Sequence, residues 1–98
     1  MRKVTIQAVQ SFNNKETKTI SSNTRVFHCK DTNTTKLFLH ENLIAKKVNN
    51  ELFVTNAGWQ SNTTKERLNG LDGVNIYQKN WVWHLNEKSW NGDLIKID

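Results

Sequence analysis

The chain has no proline, a single cysteine, four glycines and three arginines among 98 residues. No apolar run exceeds three residues, as at Leu43-Ile44-Ala45. Each shortage excludes something. Without proline or a low-complexity tract there is no stiff linker to divide the chain, so residues 1–98 are expected to form a single domain. The lone Cys29 cannot close an internal disulfide, which fits a reducing compartment. The short apolar runs fall far below the roughly 20 residues needed to span a bilayer. No apolar segment follows Arg2 and Lys3, so a secretory signal is not expected. Gly58, Gly70, Gly73 and Gly92 are too dispersed to form a phosphate-cradling loop. The acidic residues are singletons, without the paired carboxylates of a hydrolase or a two-metal centre. A chain this short buries only about 60–65% of its unfolded surface, which leaves little room for an enclosed cofactor, and none is expected.

What the chain does have is lysine and asparagine. Fourteen Lys and Arg face nine Asp and Glu, for a net charge of +5. The excess is N-terminal: residues 1–50 carry nine basic and three acidic side chains, net +6, and residues 51–98 carry five and six, net −1. A basic balance suits nucleic acid. Yet Asn (14) and Lys (11) both have codons rich in adenine and thymine, so a biased genome would raise both without selection for binding. Arginine, which recognises phosphate bidentately, is scarce.

Periodicity gives the architecture. Val4, Ile6 and Ala8 alternate and predict a strand over residues 3–10; residues 11–23 read as polar loop. Thr24–Lys30 is β-branched and aromatic, and predicts a second strand. Lys36–His40, Leu43–Val48 and Glu51–Thr55 then follow at seven- and eight-residue spacing, joined by Glu41-Asn42 and Asn49-Asn50. Two-residue connections with Asn suit type I′ turns, so these segments predict an antiparallel meander. Thr63 with Glu66 fits a capping box, Ser61 or Asn62 are alternative caps, and Gly70 fits a left-handed C-terminus; a short helix is expected near residues 62–70. Val74–Gln78 and Trp81–Leu85, joined by Lys79-Asn80, predict a C-terminal hairpin, with Leu94–Ile97 again strand-like. The fold class is α+β, a mostly antiparallel β-sheet with one short helix.

Metal and nucleophile chemistry finds little support. His28, Cys29, His40 and His84 lack paired ligand spacings, and neighbours on a strand point to opposite sides. The C-terminal aromatics are more informative. If Ile76 and Val82 face the core, Tyr77, Lys79, Trp81 and Trp83 form an exposed aromatic–cationic platform suited to stacked bases. Such a platform equally suits a protein partner, and the tryptophans alternatively fill the core of a small domain. Lys65 and Arg67 beside Thr63 and Thr64 add a candidate anion contact at a helix start, although a solvated, capped helix accounts for them as well. Trp59 and the meander's Lys46 and Lys47 complete the candidate binding set.

Asn42-Leu43-Ile44-Ala45, Ala57-Gly58-Trp59, Thr63-Thr64 with Arg67-Leu68-Asn69, Gln78-Lys79, and Leu85-Asn86 followed by Trp90 form an ordered set. Over Asn42–Trp90 this set resembles small proteins encoded by tailed bacteriophages. The resemblance implies a source, and with it the cytoplasm of a bacterial host, but no mechanism. The leading expectation is a non-enzymatic protein that binds nucleic acid through a basic and aromatic sheet face. The alternative is an inhibitor or host-takeover factor, such as an anti-defence protein, that binds a host protein. A minor virion component is the third. No membrane partner is expected, and a homodimer remains open.

Overall fold

A computed structural model describes residues 2–97. The fold is α+β, with two short helices and two antiparallel sheets. In chain order the elements are α1 (Lys3–Asn13), β1 (Lys18–Ser21), β2 (Thr24–Cys29), β3 (Thr34–Leu39), β4 (Asn42–Val48), β5 (Glu51–Val54), α2 (Asn62–Asn69), β6 (Ile76–Lys79), β7 (Val82–Leu85), β8 (Lys88–Ser89) and β9 (Ile95–Lys96). Strands β1 to β5 run as a meander and β9 returns to pair with β5, giving six strands in one sheet. The second sheet is β6-β7-β8. No helix among the described residues is long and apolar enough to cross a membrane.

The predicted N-terminal strand is a helix. Thr5, Ala8, Ser11 and Phe12 are its buried residues, recurring at spacings of three and four, with Val9 packed beside them. That is the stripe of an amphipathic helix; of the alternating Val4, Ile6 and Ala8 only Ala8 is buried. The segment read as polar loop holds β1, an edge strand whose one core contact is Ile20.

Four connections share one geometry. His40-Glu41, Asn49-Asn50, Asn80-Trp81 and Asn86-Glu87 all have positive φ at both positions, the type I′ signature that matches the twist of the flanking strands. Asn tolerates this region; Glu and Trp at the second position are strained there. Two of these turns differ from the sequence expectation by one residue, because closing pairs form at Leu39–Asn42 and Lys79–Val82.

On the meander's inner face Val26, Leu37, Leu39 and Val54 are buried. A bulge in β4 leaves Ile44 unpaired between Leu43 and Ala45, so Ile44 and Ala45 both turn inward and are buried. Helix α2 starts with Ser61, whose hydroxyl accepts from the Thr64 N–H at 3.1 Å; Ser61 is the cap, and Glu66 points elsewhere. Gly70 has φ −75°, not a left-handed conformation. Its requirement is space: a Cβ there would lie 2.7 Å from Val9 Cγ2, so the glycine lets the two helices approach.

The small sheet is tied to α2 through Asn69. Its side-chain amide donates to Ile76 O at 2.9 Å and accepts from Ile76 N at 2.6 Å, standing in for a neighbouring strand. Ile76, Trp83 and Leu85 form its buried face. Trp90 packs on Trp83 with ring centroids 6.3 Å apart.

Candidate nucleic-acid interface

Both helices pack on one face of the six-stranded sheet; the opposite face is set by register. Phe27 on β2 pairs with Lys36 on β3, Lys36 with Lys46 on β4, Lys46 with Phe53 on β5, and Phe53 with Lys96 on β9. These five side chains therefore form one row across five strands, about 19 Å long at the usual strand spacing. Toward one end of the sheet the adjoining row is Arg25, Phe38 and Leu43. The face is aromatic and cationic at once. Phe27 is 40% exposed although it is a large apolar residue.

The charges on this face are not equivalent. Arg25 pairs with Glu41 at 3.1 Å and Lys96 with Glu51 at 3.4 Å. Lys36 and Lys46, directly opposite each other in the middle of the row, take part in no ion pair among the described residues. Like charges in this position destabilise a sheet. The Arg25 guanidinium lies 4.1 Å from the centre of the Phe38 ring and Lys46 Nζ lies 5.4 Å from that of Phe53, so the cations are held against the rings. A flat ligand ring would stack on Phe27 directly and on the guanidinium plane above Phe38.

The residues expected from sequence fall in several places. Lys46 lies in this row, whereas Lys47 pairs with Thr35 and Leu52 on the helix-covered face. Tyr77 stacks on His84, with ring centroids 5.1 Å apart and planes within 2°. It shares the outward face of the small sheet with Lys79 and Val82. Trp81 is not in that strand but at the tip of its turn, 90% exposed. Trp83 is 3% exposed and faces inward with Ile76 and Leu85, while Val82 faces out. The expected platform of Tyr77, Lys79, Trp81 and Trp83 is therefore broken up: the turn falls one residue later and takes Trp81 out of the strand, and it is Trp83, not Val82, that shares the core face with Ile76. Lys65 reaches over the Trp83 ring, its Nζ 5.8 Å from the centre.

Arg67 is 2% exposed and serves the interior. Its guanidinium donates to the hydroxyls of Thr5 and Thr24 and to Glu66 Oε1, joining α1, β2 and α2. Burial lowers its pKa, the Arg2 charge lowers it further and Glu66 opposes both. Glu66 is held below the usual carboxylate range, first by the hydrogen bond from Thr5 and then by Arg2 and Arg67.

Trp59, 64% exposed, stands away from the sheet face and walls a cleft with Leu39, Ile44 and Asn56. Of the candidate ligating residues, His28 bonds Thr35 on the inner face through Nδ1 at 2.8 Å, while Cys29 lies on the outer side. The Cys29 thiol is held below its ordinary value by hydrogen bonds from the Thr32 side chain, then from the backbone at Thr32 and Asp31. Among the described residues no three His, Cys, Asp or Glu side chains gather as a metal site.

Sequence reasoning missed Arg25, Phe27, Lys36, Phe38, Phe53 and Lys96. The signal was present in the Asn49-Asn50 turn, which fixes Lys46 opposite Phe53 by counting back two pairs.

A family model described as Kyanoviridae Gp96 protein matches residues 1–96. The chain belongs to that family, and the phage resemblance carried by Asn42–Trp90 extends over nearly its whole length. No curated protein and no solved structure matches it.

Proposed function

We propose that this phage protein of the Kyanoviridae Gp96 family is a non-enzymatic nucleic-acid-binding protein. Its ligand is a single strand lying across the open face of the six-stranded sheet. The observation that carries this reading is the row Phe27, Lys36, Lys46, Phe53, Lys96, with two lysines that form no ion pair among the described residues held side by side between two aromatic rings. A polyanion relieves the Lys36–Lys46 repulsion, and bases stacked on Phe27, Phe53 and the Arg25–Phe38 pair contribute about 1–3 kcal/mol each. A single strand suits the face better than a duplex, whose bases are unavailable for stacking on rings. A second copy of the chain suits it poorly, since two such faces would bring four lysines of this kind together.

The test is a titration of labelled single-stranded DNA and RNA, with matching duplexes, at several salt concentrations. Binding of single strands should weaken with a logarithmic salt slope of about −1.5 to −3, for two to four phosphates neutralised. The double variant K36E/K46E should abolish it while remaining folded. Absence of binding at low salt, or full binding by K36E/K46E, refutes the reading.

Trp81 supports a second reading, in which a host protein docks on the hairpin tip. A tryptophan 90% exposed at φ +67° is costly on both counts, and such strain concentrates at functional sites. Here a nuclease-resistant host complex forms with the wild-type chain and is lost with Trp81→Ala.

A further inference from the structure

The cleft beside Trp59 lies on the helix side of the sheet, at the β3–β4 turn. It has a volume of about 450 Å³, within the roughly 300–1,000 Å³ of small-molecule sites. Leu39 and Ile44 provide an apolar floor and the exposed Trp59 indole provides a wall; His40, Asn42, Asn56 and the start of α2 form the polar rim. Among the described residues no carboxylate, lysine or arginine lines it. Its polar side chains are only partly committed. Ser61 Oγ and Thr64 Oγ1 bond each other, and Asn56 Oδ1 accepts from Gly58 N at 2.8 Å. Among the described residues the Asn42 amide and the His40 ring have no side-chain hydrogen bond, so both can meet a ligand edge.

We propose that this cleft binds an uncharged, planar nitrogen heterocycle of the nucleobase class, stacked on Trp59 with its edge toward Asn42 and His40. Three features select that chemistry. The indole wall rewards a flat π-face. The Leu39–Ile44 floor disfavours a densely hydroxylated sugar, whose hydroxyls would be buried without partners there. The side-chain amide and imidazole offer both donors and acceptors, as a base edge does. Asn56 is tied down on one side of the cleft: it is buried, it packs so closely on Gly92 that a Cβ at that position would overlap its side chain, and its N–H donates to Gly92 O at 3.1 Å. This site is separate from the outer sheet face and does not rest on the reading of that face.

Titration of adenosine, guanosine, cytidine and uridine against the full chain, followed by the indole N–H resonances and the Leu39 and Ile44 methyls, tests it. At least one nucleoside should give a saturable shift of Trp59 and of those methyls. Trp59→Ala, an exposed and foldable change, should weaken binding about tenfold, while Trp81→Ala leaves it unchanged. K36E/K46E, which removes the sheet-face charges, should also leave nucleoside binding intact. No saturable shift with any nucleoside overturns the proposal. So does undiminished binding by Trp59→Ala, or saturable binding of glucose in place of the nucleosides.

Discussion

Replacing Arg67 by methionine separates a structural arginine from a ligand-binding one. The side chain is buried, and its guanidinium donates to Thr24 Oγ1 at 3.4 Å, to Glu66 Oε1 at 3.1 Å and to Thr5 Oγ1. Methionine keeps most of the aliphatic volume and removes every one of these bonds. Breaking a buried charged pair commonly costs about 3–5 kcal/mol, but the acceptors here are not stranded. Thr24 Oγ1 still donates to Asn23 Oδ1 at 2.8 Å, Thr5 still donates to Glu66, and Glu66 keeps Arg2 at 2.9 Å. The desolvation of the guanidinium is also relieved. The net loss should therefore be about 2–3 kcal/mol, a fall in melting temperature of roughly 8–24 °C for a domain this size. Urea titration checks it: the midpoint falls and the slope is unchanged. At a temperature where Arg67→Met remains folded it should bind oligonucleotide as tightly as the wild type. A stability change below about 0.5 kcal/mol, which is the usual surface value, would refute the buried network. Lost binding with intact stability would return Arg67 to the ligand site.

Trp81→Gly should raise stability by about 0.5–1 kcal/mol, because glycine relieves the positive φ of the Asn80-Trp81 turn and the exposed indole has little packing to lose; thermal melting reads the sign. Gly70→Ala should lower stability by about 1–3 kcal/mol despite an ordinary φ, since the new methyl meets Val9 Cγ2 at 2.7 Å and Thr5 Cγ2 at 3.2 Å; a rise in melting temperature would contradict the packing of α1 on α2. Glu66 has a folded pKa below its unfolded value, so its stabilisation is complete above the unfolded pKa of about 4.3 and is lost as pH falls through the lower folded value. Glu66→Gln should accordingly flatten that acid limb in urea midpoints measured across pH, and an unchanged limb would contradict the network.

The meander was legible because its short connections, above all Asn49-Asn50, and its regular strand spacing act locally. Asn49-Asn50 alone fixes Val48 opposite Glu51 and Lys46 opposite Phe53. What failed was decided at a distance or by a single residue of register. Residues 3–10 alternate like a strand, and packing of Ala8 and Phe12 on the sheet favours a helix over Lys3–Asn13 instead. Placing a turn at Glu41-Asn42 instead of His40-Glu41 changes every β3–β4 partner, and the bulge at Ile44 shifts them again. On the C-terminal hairpin Trp83 shares a face with Ile76 whether the turn is Lys79-Asn80 or Asn80-Trp81, so the expected platform failed because Val82 and Ile76 were given the same core face, not because of the turn. The lysines do meet aromatic rings on one face, but the rings are phenylalanines, whose places become visible only after the register is known.

The central claim is that the open sheet face, and not the hairpin, receives a nucleic-acid strand. Ring resonances of the aromatic side chains, followed while a single-stranded oligonucleotide is added, test this most directly. The account predicts saturable upfield shifts of Phe27 and Phe53, with Tyr77 and Trp83 unmoved. Shifts confined to Tyr77, Trp81 and their neighbours, with Phe27 and Phe53 silent, would contradict it.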